Sequence, residues 1–245
     1  MAHLRIGLAN ALLPAARVRS DCYYPQQPTC QIPNLWLILE TFLGWRTDGF
    51  FVDVGAFDGV TYSNTWGPAV RGWDGLLVEP VPQAAAAARV AHAKHPGIHV
   101  IQQALGRSAG TADIAAAGAF STSVPDMFDR WQALSWRRPD GHVRAQQSTL
   151  DALLDENAQG RPIDLLSLDV EGAESQVLAG FSWHVLPTLM IVELTDLHES
   201  AVYRRQACID VRDEILRRGY EIAYKDAANT VFVRRDAWLA AWRIR

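Results

Sequence analysis

The chain has 245 residues, 49% of them hydrophobic, which suits one large α/β domain with a full core. A formal net charge of −4 without a basic stripe argues against an electrostatic grip on nucleic acid. No apolar run reaches the roughly 20 residues of a membrane span, and three cysteines (Cys22, Cys30, Cys208) without Cys-x-x-Cys spacing favour a reducing cytoplasm over a disulfide framework.

In chain order, Met1 to Arg19 reads as a short leading helix or loose arm, because Asn10 and Pro14 interrupt its apolar stretch. Residues 20–34 form an irregular lead-in, and Asn34 to Trp45 a helix with Leu35, Leu39 and Phe42 on one face. We therefore set 1–47 apart as an N-terminal arm and lead-in helix, with the main domain at 48–245. Strands are expected at 50–54, 75–79, 98–103, 163–169 and 188–194, and helices at 82–95, 149–157, 172–179 and 202–218. The last helix carries Cys208, Val211 and Ile215 on one face and ends before Gly219. A β-hairpin follows at 220–225 and 229–234. Alternating strands and helices imply a parallel sheet with right-handed crossovers, to which the hairpin adds an antiparallel edge. The pattern lapses between about 115 and 147, a stretch that includes Gly118 to Ser123, Trp131, Trp136 and His142. A connection this long is usually functional, and its place after the third strand makes it an expected acceptor-site lid.

The stretch Phe50-Phe51-Val52-Asp53-Val54-Gly55-Ala56-Phe57-Asp58-Gly59 runs from a buried strand into a glycine turn. The neighbouring strand Gly75-Leu76-Leu77-Val78 ends on Glu79, placed to accept hydrogen bonds from a ribose diol. A pyrophosphate site would want Gly-x-Gly-x-x-Gly, but Phe57 and Asp58 occupy the space its phosphates need. Carboxylates suit a ligand bearing an ammonium and a sulfonium, which is S-adenosylmethionine.

These pieces resemble the FkbM-type S-adenosylmethionine-dependent methyltransferases. The matching runs are Phe51 to Gly59, Ser63-Asn64-Thr65, Leu77-Val78-Glu79-Pro80, Ser148 to Leu154, Ile163 to Glu174, Ile191-Val192-Glu193 and Asn229 to Val233. They span about residues 48–235, and Asp169-Val170-Glu171-Gly172-Ala173-Glu174 is the most diagnostic. The resemblance implies a class I (Rossmann-like) α/β fold: a seven-stranded, mostly parallel sheet ordered 3-2-1-4-5-7-6 with strand 7 antiparallel. It also implies O-methylation of a small-molecule or glycan hydroxyl, on a sugar or other secondary metabolite.

For the cofactor, Asp53, Gly55, Phe57, Asp58 and Gly59 are expected to shape the methionine-binding turn. Asp53 or Asp58 would meet the ammonium, unless Asp53 caps the following loop. Ser63 and Asn64, with Thr65, would bond the cofactor carboxylate or cap a helix. Glu79 with Pro80 is assigned to the ribose, and Ala104 and Leu105 to the adenine through backbone. Asp169 has the strongest claim to catalysis, joined by Glu193 and His198 as candidate bases. Asp169 and Glu171 also adjoin the cofactor. The acids Asp169, Glu171 and Glu193 have two readings: a general base with cofactor and substrate ligands, which we prefer, or a Mg²⁺ site through Asp169 and Glu193. His142 is a further loop candidate, while His92 and His95 read as surface residues. Trp66 and Trp73 are candidates to wall the pocket, and Trp131 and Trp136 are candidate sugar platforms. The competing functions are a nicotinamide-dependent oxidoreductase, a catalytically silent methyltransferase-like interaction module, and an RNA methyltransferase, which the charge disfavours.

Overall fold

Phe50-Phe51-Val52-Asp53-Val54 is buried at all five positions, as a strand must be when helices cover both faces of its sheet. The computed structural model describes residues 24–125, 127, 141–197 and 205–243. The first elements are α1 (Leu35–Leu43), β1 (Phe50–Val54), α2 (Trp66–Arg71), β2 (Asp74–Val78), α3 (Pro82–Ala91) and β3 (Ile98–Ile101). Then come β4 (Ala104–Leu105), β5 (Gly110–Ala116), β6 (Gly141–Ser148), α4 (Leu150–Asn157), β7 (Leu165–Leu168) and α5 (Glu174–Ala179). The chain continues through β8 (Leu189–Glu193), α6 (Arg205–Arg217), β9 (Tyr220–Lys225), β10 (Asn229–Arg234) and α7 (Arg235–Arg243).

The main sheet has seven strands in the order β3-β2-β1-β7-β8-β10-β9. Numbered within this sheet alone, that order is 3-2-1-4-5-7-6, and β10 runs antiparallel to both of its neighbours. This is the class I methyltransferase fold. Alternate residues of β1 feed two cores. Phe50, Val52 and Val54 pack with α4, α5 and α6 through Leu153, Val177 and Ile215. Phe51 packs on the opposite face with Leu35, Leu39, Ala69 and Ala88. Chain direction reverses its progress across the sheet between β1 and β7, so the crevice beyond their carboxyl ends is the expected ligand position.

Two details differ from the sequence expectation. The region from 115 to 147 is not wholly irregular: β5 and β6 pair antiparallel from Gly110↔Gln147 to Ala116↔Gly141, and β4 pairs with β6 in parallel. Strand β6, Gly141-His142-Val143-Arg144-Ala145-Gln146-Gln147-Ser148, buries only Ala145, so it lacks the apolar run by which strands are recognised. The expected third strand stops at Ile101, and Ala104-Leu105 leaves to join this small sheet. Residues 24–45 pack onto the main sheet, with Tyr24 and Ile32 fully buried and the Tyr24 hydroxyl donating to Gly44 O at 2.8 Å.

Candidate functional site

The turn after β1 is built by backbone needs. Gly55 (φ +86°) donates its N–H to Val78 O at 2.9 Å, and a Cβ there would lie 1.7 Å from Asp169 O. Only glycine lets β1 and β7 approach so closely. Phe57 follows at φ +49°, a conformation that costs a non-glycine residue energy; its N–H is held by Glu79 Oε2 at 2.9 Å. Asp58 accepts from the N–H groups of Val60 (2.9 Å) and Thr61 (2.6 Å) and from the Thr61 hydroxyl (2.7 Å). Its carboxylate is thereby spent on its own loop.

Three adjoining clefts open along the carboxyl edge. The first, about 540 Å³, is lined by Glu79, Pro80, Gln103, Ala104 and Leu105 together with Gly55, Phe57 and Asp169. The second, about 420 Å³, shares Gly55, Phe57 and Asp169 with it and adds Asp53, Ser63, Asn64 and Glu171. The third, about 470 Å³, shares Glu171 and adds Glu174, Glu193, Thr195 and Cys208.

The carboxylates differ in their surroundings. Glu79 is 5% exposed, and its oxygens accept from Phe57 N at 2.9 Å and Val81 N at 2.8 Å. Burial still pushes its pKa up to about 7. Asp53, 4% exposed, accepts from the Thr65 hydroxyl at 2.6 Å, and burial raises it to about 6. Asp169, Glu171 and Glu193 converge, each offering an oxygen within 4.8 Å of the others. Loss of water raises Glu193 well above the carboxylate range, with repulsion from Glu171, Asp169 and Glu174 adding to it. Glu174 accepts from Val170 N and Gly172 N and is raised to about 7, chiefly by burial. Acids gathered this way bind protons more tightly than solvated carboxylates and favour a cation among them.

The Methyltransferase FkbM domain family matches residues 53–222. The chain belongs to that family. Among solved structures, the methyltransferase FkbM from Methylobacillus flagellatus KT matches at 17% identity with a TM-score of 0.50, over 76% of this chain and 44% of that one. An O-methyltransferase from Bacillus cereus in complex with SAH matches at 14% identity with a TM-score of 0.48, over 94% of this chain and 90% of that one. The chain thus spans less than half the length of the first, and at 17% identity that likeness is one of fold. No protein of curated function matches the sequence.

Within this FkbM domain, the structure brings together Asp53, Gly55, Phe57, Ser63, Asn64, Glu79, Pro80, Ala104, Leu105, Asp169, Glu171 and Glu193 along one edge. Asp58 and Gly59 stand behind the turn and line none of the three clefts. Ser63 Oγ accepts from Trp66 N at 3.0 Å and Thr65 N at 3.2 Å, which starts α2. Two expectations are corrected. His92 is not on the surface: it is 4% exposed, and its Nε2 lies 2.9 Å from Gly59 O. A carbonyl only accepts, so Nε2 carries the proton, and Nδ1 takes its hydrogen bond from His95 Nδ1 at 3.1 Å. Trp73 does not wall the pocket; it is buried against Tyr24 with its Nε1 donating to Arg46 O at 2.9 Å. His198, Trp131 and Trp136 lie outside the described residues, while His142 sits exposed on β6.

Three site residues escaped sequence reasoning: Gln103, Gln31 and, as more than a motif letter, Glu174. Gln103 stands two residues past the end of β3 at the carboxyl edge, a weaker form of the signal that marked Glu79. Gln31 had no local signal, because only the fold carries residue 31 to this edge.

Proposed function

We propose that this FkbM domain transfers a methyl group from S-adenosylmethionine to a hydroxyl oxygen on a sugar or secondary metabolite. The observation that carries the reading is a row of adjoining clefts with shared lining residues, one holding Glu79 and Gln103 and the others lined by Asp53, Asp169, Glu171 and Glu193. Two features fit the methyl donor. Each Glu79 oxygen keeps a lone pair for a ribose hydroxyl after taking its backbone N–H. Gln103 Nε2 is buried without a hydrogen-bond partner among the described residues, which costs about 1–3 kcal/mol unless a ligand acceptor meets it.

Bound there, S-adenosylmethionine supplies an electrophilic methyl carbon on a positive sulfonium. Asp53 and Asp169 offset the positive charge at that end. The acid half holds the acceptor oxygen in line, an alignment that can contribute about 7–11 kcal/mol. Asp169 borders both cofactor clefts and is hydrogen-bonded to Glu193. Asp169 takes the acceptor's proton, with Glu193, which burial and neighbouring acids raise well above the carboxylate range, hydrogen-bonded beside it. His198 is the other candidate base of this proposal. The acceptor is a small molecule or glycan rather than nucleic acid, in keeping with the net charge of −4. We place the reaction in the cytoplasm, which the free thiols of Cys30 and Cys208 suit; among the described residues no helix is long and apolar enough to cross a membrane.

Calorimetry with S-adenosylmethionine, S-adenosylhomocysteine and NADH tests the reading. Micromolar binding of the first two alone is expected. Binding of none indicates a silent interaction module, and binding of NADH alone an oxidoreductase. The convergence of Asp169, Glu171 and Glu193 also favours a second reading, a Mg²⁺ site of oxygen donors. Turnover unchanged by chelator discards that second reading; loss restored by Mg²⁺ establishes it.

A further inference from the structure

The methionine-side cleft needs more than acids. An amino-acid moiety brings an ammonium, which Asp53 and Glu171 can accept, and a carboxylate, which the acids of this cleft repel. Donors must therefore face it. Ser63 is already committed: its oxygen accepts from Thr65 N and Trp66 N. The Thr65 hydroxyl donates to Asp53, so in the 3.3 Å contact between the two hydroxyls it is Ser63 that donates. The carboxamides of Gln31 and Asn64 also line this wall, as does the exposed Tyr62.

Gln31 is the better placed of the two. Asn229 Nδ2 donates to its Oε1 at 2.9 Å, which fixes the carboxamide with both Nε2 hydrogens left to offer. Nε2 makes no hydrogen bond among the described residues. Asn229 is a firm anchor, 2% exposed and in register with Glu193 on β8. The segment bearing Gln31 is equally held. Ile32 is fully buried, Gln26 Nε2 donates to Ile32 O at 2.9 Å, and a Cβ on Gly67 of α2 would lie 2.2 Å from Pro25 O.

We propose that Gln31, supplied from ahead of the family-matched residues 53–222, donates through Nε2 to the α-carboxylate of the methyl donor. The inference rests on the S-adenosylmethionine reading and makes the lead-in segment part of the site. Gln31→Glu tests it, because glutamate keeps an acceptor for Asn229 while replacing the donor with an acid. Calorimetry compares S-adenosylhomocysteine with 5′-methylthioadenosine, which lacks the amino-acid end. Gln31→Glu should weaken S-adenosylhomocysteine about 10- to 100-fold, the range for a charge-assisted hydrogen bond, and leave 5′-methylthioadenosine unchanged. Gln31→Leu should give a smaller loss with the same selectivity. Unchanged or tighter S-adenosylhomocysteine binding by Gln31→Glu overturns the proposal. So does an equal loss for both ligands, which would mean a purely structural latch. If the unsubstituted protein binds neither ligand, the methyl-donor reading falls first and takes this one with it.

Discussion

Glu79 and Glu193 both sit at the carboxyl ends of parallel strands on one edge of one sheet, yet their neighbours are opposite in kind. Glu79 is gripped by two backbone N–H groups, from Phe57 and Val81. Glu193 faces Asp169, Glu171 and Glu174. The first arrangement fixes a carboxylate in place, and the second raises its members' affinity for protons. A strand-end acid therefore acquires its role from what the adjoining loop points at it, not from its position alone.

The comparison can be broken most sharply at the acid half. Asp169→Asn should lower turnover about 10²- to 10⁴-fold, the range for losing a general base, with S-adenosylhomocysteine affinity changed only a few-fold. Comparable losses in both would move Asp169 into the cofactor shell. At the recognition half, Glu79→Gln turns an amide N–H₂ toward a backbone N–H. Donor affinity should drop about 10- to 100-fold, as when a buried group loses its partner, while turnover at saturating donor is retained; a kcat as depressed as the affinity would erase the division between the halves.

A smaller effect is the pH dependence of stability without ligand. Glu193 and Glu174 have folded pKa values raised above those of an unfolded chain. Between about pH 4.5 and 7 the native state therefore binds more protons than the unfolded state, and stability falls as pH rises. The cost is absent below that window and complete above the folded values. Glu193→Gln should flatten this slope in thermal melts at successive pH values. An unchanged slope would mean that the cluster is better solvated than its raised pKa values imply.

Much of the fold was legible because a buried strand announces itself. The runs at β1, β2, β7 and β8 are continuous and apolar, and the β9–β10 hairpin falls at 220–225 and 229–234 as expected. Strand β6 was hidden because its cohesion comes from pairing with β5 rather than from burial. His92 looked like surface beside Lys94 and His95, since a polar helix position carries no sign of the Gly59 carbonyl that covers it. The acids at 53, 79, 169 and 193 were legible as strand-end residues, but not which would be clasped by N–H groups and which crowded by other carboxylates.

The sequence alone determined the strand and helix alternation, the glycine turn and the set of acids, because hydrophobic period and backbone freedom are local properties. Tertiary structure decided that Gln31, Gln103 and Asn229 join that edge, and that the pKa of Glu193 is raised. Those outcomes depend on which distant segments meet and how much water they exclude, and neither is written in a residue's neighbours along the chain.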